Sequence, residues 1–298
     1  MSYLLAVCLA LCWGTAFLAS KNIVDVLPPY WGACLRVVAG LLFFAVFFGI
    51  KRSSLKCPLG QLWRPWMISF MLILLPFAAL SWGIQHTVPT VAGIFNGTVP
   101  IWSFIAGAIL LKGADRFTWR RAAGVLIGLG GLLVIMQPQW QAALHVPTGR
   151  MALYGYGALL VMALSYGIGN VMTKKIMVDS RAVSWQANTF HQYLFAAVVL
   201  LIISCATEPL PPLHVFNTKL IVSIMSAGIF SSAIAFLLML ALLKRWGATR
   251  MSSVTYFSPV IAMCTDMLFR SRMPHGAEII GMVLIFISLW LIQKRVNS

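Results

Sequence analysis

Six carboxylates and five histidines in 298 residues leave little material for acid–base or metal chemistry, so each group can be placed in turn. Asp115 and Asp179 fall in basic loops and Glu208 in a loop followed by prolines, while Asp25, Asp266 and Glu278 sit near the ends of apolar runs. Cys8, Cys12, Cys34, Cys57, Cys205 and Cys264 include no pair spaced by two residues and mostly lie inside apolar stretches, as small buried side chains do. Gly124, Gly128, Gly130 and Gly131 imitate a phosphate loop only in composition, because no strand precedes them. No catalytic triad, metal cluster or nucleotide loop emerges, so neither an enzyme nor a cofactor is expected.

The groups that remain are amides, hydroxyls and aromatic rings inside apolar segments. Asn96-Gly97-Thr98-Val99-Pro100 pairs an amide with a proline that removes a helix hydrogen bond and frees a carbonyl one turn back. Thr255-Tyr256-Phe257-Ser258-Pro259 repeats the arrangement. Two prolines at matched positions favour a central cavity over a packing kink. Trp13, Phe17, Phe77, Trp82, Tyr166 and Asn170 are candidates for an aromatic-walled pocket, with Asn96, Thr255 and Tyr256 adding polar contacts. His191 titrates near neutrality and is the candidate for proton coupling, although a lone histidine more often packs and hydrogen-bonds. Asp25, Asp266 and Glu278 are candidates for a gate with basic partners such as Arg36, against the plainer role of local pairing at an interface.

The elements that must position these groups follow from composition. The chain is 60% hydrophobic and 9% charged, with a mean hydropathy of +0.90, far from the roughly 25% charge of a soluble domain. Apolar runs of about 20 residues, separated by short basic segments, specify an all-α membrane protein. Ten spans are expected, at about 3–24, 30–50, 65–85, 89–111, 119–137, 151–173, 184–206, 219–243, 248–269 and 275–293. The first is read as a retained helix rather than a cleaved signal. The net charge of +16 is spread over nearly every short loop, unlike a nucleic-acid stripe. With the N-terminus cytoplasmic, 16 of the 22 basic residues fall inside, which places both termini in the cytoplasm of a bacterial-type inner membrane.

The chain also repeats itself. Trp13-Gly14 through Lys21 aligns with Tyr166-Gly167 through Lys174 at an offset of 153, which also superposes Tyr3 on Tyr156 and Ala10 on Ala163. Thr90 and Pro100 fall 159 residues before Thr249 and Pro259, and Gly124 falls 157 before Gly281. Residues 1–137 and 151–298 then form two five-helix repeats joined by a linker at 138–150. Five is odd, so the second copy enters the bilayer from the opposite side, giving the inverted repeats that alternating-access carriers use.

These features resemble the drug/metabolite transporter superfamily, specifically its EamA-type ten-helix members. The resemblance rests on Trp13-Gly14 with Phe17 and Lys21, on Arg36, on Pro100 and Pro259, and on Asp115-Arg116-Phe117-Thr118 followed by Gly124. Asp115 stands where the family usually has Glu, and Arg272 occupies the matching place in the second half, so no shared role is carried over there. The resemblance implies a cavity between helices 1, 3, 4, 6, 8 and 9 and a small-molecule solute, often a metabolite or amino acid, with membrane lipid as the other partner. The rivals are an exporter of lipophilic cations, which would want a buried acid, and an intramembrane enzyme, which would want converging reactive groups.

Overall fold

A helix satisfies its own backbone hydrogen bonds, and lipid offers no substitute for them, so uncharged apolar runs of this length coil. The structure, a computed structural model, describes residues 2–87, 89–111, 118–137, 141, 149–179, 182–257, 260 and 276–293. Seven helices among these are long and apolar enough to cross a bilayer: α1 (Ser2–Val24), α2 (Pro29–Ile50), α3 (Leu59–His86), α4 (Val91–Leu110), α6 (Arg150–Val178), α7 (Trp185–Thr207) and α8 (Thr218–Trp246). Between and after them come α5 (Trp119–Ile135), α9 (Ala248–Ser252) running into a 3-10 turn at Ser253–Tyr256, and α10 (Gly276–Gln293). Among the described residues there is no strand. The chain is a multi-pass membrane protein. Seven helices rather than the expected ten reach spanning length among the described residues: α5 has 17 residues, α9 has 5 before its 3-10 turn, and the apolar part of α10 is Ile279–Gln293.

Local chemistry sets the helix starts. Pro29 opens α2, where a missing N–H costs nothing. The Thr118, Ser184 and Asn217 side chains accept from Arg121 N, Ala187 N and Leu220 N, capping α5, α7 and α8. α2 has a further cap from far along the chain, since Glu208 accepts Tyr30 N and Trp31 N at 2.9 Å each. A carboxylate there meets both free donors and the positive end of the helix. Replacing Glu208 with Gln, which cannot present two carboxylate oxygens, should lower stability by about 1–2 kcal/mol. Thermal unfolding of the detergent-solubilised protein checks this, and an unchanged midpoint would refute it.

The main packings are α5 along α10, α3 and α4 both along α6, α2 along α7, and α1 and α2 both against α8, with α4 also touching α9. α5 and α10 run antiparallel. A side chain at Gly124 would meet Ile292 and Leu291, and one at Gly131 would meet the Gly281 carbonyl. α2 and α7 are antiparallel too, with the Phe44 and Tyr193 rings 4.9 Å apart and Phe48 and Trp185 5.5 Å apart. Outside the bundle, Leu42, Val46, Ile109, Leu126, Ile202, Val222 and Trp290 are exposed, an apolar surface that suits lipid and not water.

Three helices widen into π-helical turns, at Phe70–Leu74 in α3, at Thr173–Asp179 at the end of α6 and at Ser226–Ile234 in α8. Those of α3 and α8 start 156 residues apart, inside the 153–159 range of the sequence repeat. A π turn disturbs the i→i−4 ladder, and side chains satisfy freed carbonyls nearby. Ser165 donates to Met71 O and Ser232 to Ala227 O, each at 2.7 Å.

Candidate functional site

The π turns of α3 and α8 flank a cavity of about 90 Å³ in the middle of the bundle. From α1 come Trp13, Ala16 and Phe17, beside a break at Gly14–Thr15 where Thr15 Oγ1 turns back to Cys12 O. α3 supplies Leu72, Ile73 and Phe77, and α8 supplies Ser231, Ser232 and Phe236. Asn96 enters from α4, at the end of the first half of a helix that breaks at Gly97–Thr98 ahead of Pro100. α6 contributes Tyr166 and Asn170, and the turn after α9 contributes Thr255.

Of the nine residues proposed to bind solute, the structure places seven here: Trp13, Phe17, Phe77, Asn96, Tyr166, Asn170 and Thr255. Trp82 lies elsewhere. It is five residues beyond Phe77, a rotation of about 140° on a helix, and it stands over His86 in a vestibule lined by the α1–α2 turn and Glu208. Tyr256 also points away, donating its hydroxyl to Val125 O at 2.9 Å. Thr255 and Tyr256 are neighbours on a 3-10 turn, about 120° apart, so only one of them can face the centre.

The coupling and gating candidates are redistributed as well. His191 Nε2 lies 3.1 Å from Leu55 O in the α2–α3 loop, and α7 presents Tyr193 to the cavity instead. Asp25 pairs with Lys21 on its own helix at 2.6 Å and not with Arg36. Pro259, Asp266 and the Glu278 side chain lie outside the described residues.

Arg36, expected as a basic gate partner, stands instead inside the bundle. It is 5% exposed and lines the cavity. It sits seven residues into α2, about 10 Å from that helix end. Its Nε donates to Ser232 Oγ at 2.8 Å and its Nη1 to Ser20 Oγ at 3.3 Å, and the guanidinium stands 4.0 Å over the Phe77 ring. These contacts depend on α8 touching α2. A Cβ at Gly228 would come 2.5 Å from Arg36 O, so only glycine allows this approach.

Much of the polar lining is unused. Asn170 Nδ2 reaches Ser103 Oγ at 3.5 Å, while the Asn96 amide and the Tyr166 and Tyr193 hydroxyls have no hydrogen bond among the described residues. No Asp or Glu stands among the described lining residues. Chemically, this is an aromatic and aliphatic pocket with a few convergent polar donors and one cation, the usual composition of a small-molecule site. Tyr193, Ser231, Ser232 and Ser20 were not foreseen. The Ser231-Ser232 pair inside a spanning helix was the available signal, because intramembrane polar residues face protein or cavity.

Comparison with known proteins agrees with this architecture. The chain matches the EamA-like transporter family over residues 1–137 and 153–293. It is 24% identical over 292 residues to a probable amino-acid metabolite efflux pump of Escherichia coli, covering 96% of this chain and 93% of that protein. It is 23% identical over 290 residues to a WAT1-related chloroplastic protein of Arabidopsis thaliana, covering 94% of this chain and 66% of that longer protein. A solved crystal structure superposes with a TM-score of 0.73 at 20% identity, covering 98% of this chain and 96% of that one, a likeness of fold. With matching segments over nearly its whole length, a bundle of apolar helices and a polar-studded cavity at its centre, the chain belongs to the EamA-like transporter family.

Proposed function

We propose that this transporter is a secondary carrier, an exporter or facilitator, moving a small polar or amphipathic metabolite such as an amino acid by alternating access. The observation that carries the proposal is the central cavity, whose lining comes from both halves of the chain and holds polar side chains, Asn96, Tyr166 and Tyr193, with no hydrogen bond among the described residues. The relative named as a probable amino-acid metabolite efflux pump supports the solute class.

Two inverted five-helix repeats give the cavity its moving parts. Exchanging each helix for the one five places later turns α1–α8 into α6–α3 and α2–α8 into α7–α3 and returns α2–α7 and α5–α10 to themselves, whereas α4–α6 has only a slight counterpart between α1 and the turn after α9. Such a set supports a two-fold relation between the halves. The antiparallel course of α5 against α10 and of α2 against α7 supports inversion, since these are counterparts in the two copies. Matched π turns in α3 and α8 add a third support. Both termini lie in the cytoplasm in this reading, with the inner loops carrying most of the basic residues. An exporter of lipophilic cations is disfavoured by a buried cation, and no described acid, on the cavity wall.

Counterflow in proteoliposomes containing the full chain tests the proposal. Asn96→Ala and Tyr166→Phe should each slow exchange of an accepted metabolite about tenfold, the worth of one lost hydrogen bond, while membrane insertion is retained. Unchanged flux removes these side chains from the solute path. Exchange no faster than in empty vesicles, across amino acids, nucleosides and sugars, overturns the carrier reading.

A further inference from the structure

Resting on the carrier reading, we infer that the solute is a monoanion with an aromatic or apolar body, its carboxylate or equivalent oxyanion seated on Arg36. Arginine stays charged in proteins, and its guanidinium carries five N–H donors. Two of them are taken, by Ser232 and Ser20. Both partners are neutral hydroxyls, and Phe77 offers only its ring face. No described carboxylate pairs with Arg36. A buried cation held this way is under-compensated, because burying a charge is costly unless it is paired. The free N–H groups lie on the wall of a cavity, where an arriving oxyanion can form charge-assisted bonds in the planar fork geometry that guanidinium prefers.

The rest of the wall fixes the remainder of the solute. Trp13, Phe17, Phe77 and Tyr166 surround the space with ring surface, and the Phe77 and Tyr166 rings stand 6.4 Å apart at 67°. The lining includes no described acid to receive an ammonium group. Charge balance in a low-dielectric site therefore ranks an anion above a zwitterion, and a zwitterion above a cation.

One body at three charges tests this: 3-phenylpropionate and the permanently charged 2-phenylethanesulfonate, phenylalanine, and phenethylamine. Binding is measured to the full chain in nanodiscs by thermal shift and titration calorimetry, and transport by counterflow. The expected result is that at least one anion binds about tenfold or more tighter than phenylalanine, with phenethylamine weakest. Arg36→Gln should weaken that anion about thirtyfold or more, since truncating one side of a buried charge pair costs at least about 2 kcal/mol, and should tighten phenethylamine, whose ammonium no longer meets a like charge. Arg36→Lys should restore part of the loss. The wild-type series stands as a test even if Arg36→Gln fails to insert. Equal affinity across the series, tighter binding of phenylalanine or the amine, no binding by any member, or anion binding indifferent to Arg36→Gln would each overturn the inference. Phenylalanine exchange without anion preference sinks this inference and spares the carrier reading, whereas absence of exchange with every metabolite sinks the carrier reading itself.

Discussion

Substituting valine for Gly228 is expected to cut counterflow by about a hundredfold and to lower the unfolding midpoint, with the protein still inserted. The added Cβ would fall 2.5 Å from Arg36 O and 2.6 Å from Ala39 Cβ. A helix carbonyl cannot rotate away, so α8 must retreat from α2. Overpacking of this kind costs about 1–3 kcal/mol. The retreat also draws Ser232 away from Arg36, breaking a 2.8 Å bond to a charged group worth about 1.5–3 kcal/mol. Flux and thermal stability should therefore fall together. Wild-type flux in Gly228→Val would show that the α2–α8 approach does not position Arg36.

The second large effect is expected where α5 meets α10. A Cβ at Gly131 would stand 2.8 Å from Gly281 O, and one at Gly281 would stand 2.6 Å from Gly131 O. Backbone faces backbone, so movement of the Ile135 or Ile285 side chains, which also stand close, would not relieve the clash with the carbonyls. Leucine at either position should separate the two helices and cost about 3 kcal/mol or more, at the upper end of overpacking penalties. The neighbouring Gly130 is the control. A side chain there would meet nothing within 4 Å, so Gly130→Ala should be neutral or stabilising by up to about 1 kcal/mol. Thermal unfolding in detergent reads both, and a Gly131→Leu protein as stable as Gly130→Ala would refute the close-contact account. Because Gly131 and Gly281 share one contact, a double leucine variant should cost less than the sum of the singles.

Much of this molecule is legible in its sequence because lipid simplifies the reading. Apolar length alone specifies spanning helices, since only a helix closes its own hydrogen bonds in hydrocarbon. The starts of α2, α5, α7 and α8 follow from Pro29, Thr118, Ser184 and Asn217 acting within a few residues of themselves. Seven of the nine proposed solute-binding side chains come together around one space, because aromatic and amide residues inside apolar runs have few other places to be.

Where the readings diverge, helix rotation is the cause. Trp82 and Tyr256 have the right chemistry but face other neighbours: Tyr256 is turned away from Thr255 by one residue of a 3-10 turn, and Trp82, five residues beyond Phe77, is both rotated and carried toward the end of α3. The π turns in α3 and α8 left no clear mark in composition, yet they bring Leu72, Ile73, Ser231 and Ser232 to the wall.

The sequence by itself determined that the chain lives in a membrane as apolar helices, and that its few polar intramembrane groups are amides, hydroxyls and rings. It also placed Arg36 near one end of α2. Only the tertiary structure decided where that charge points. Its surroundings come from Ser20 on α1, Phe77 on α3 and Ser232 on α8, the last 196 residues away, and their convergence depends on a backbone approach at Gly228. Depth along a helix is a local property that residue order records, whereas the face a residue presents, and what meets it there, is settled by how the helices pack.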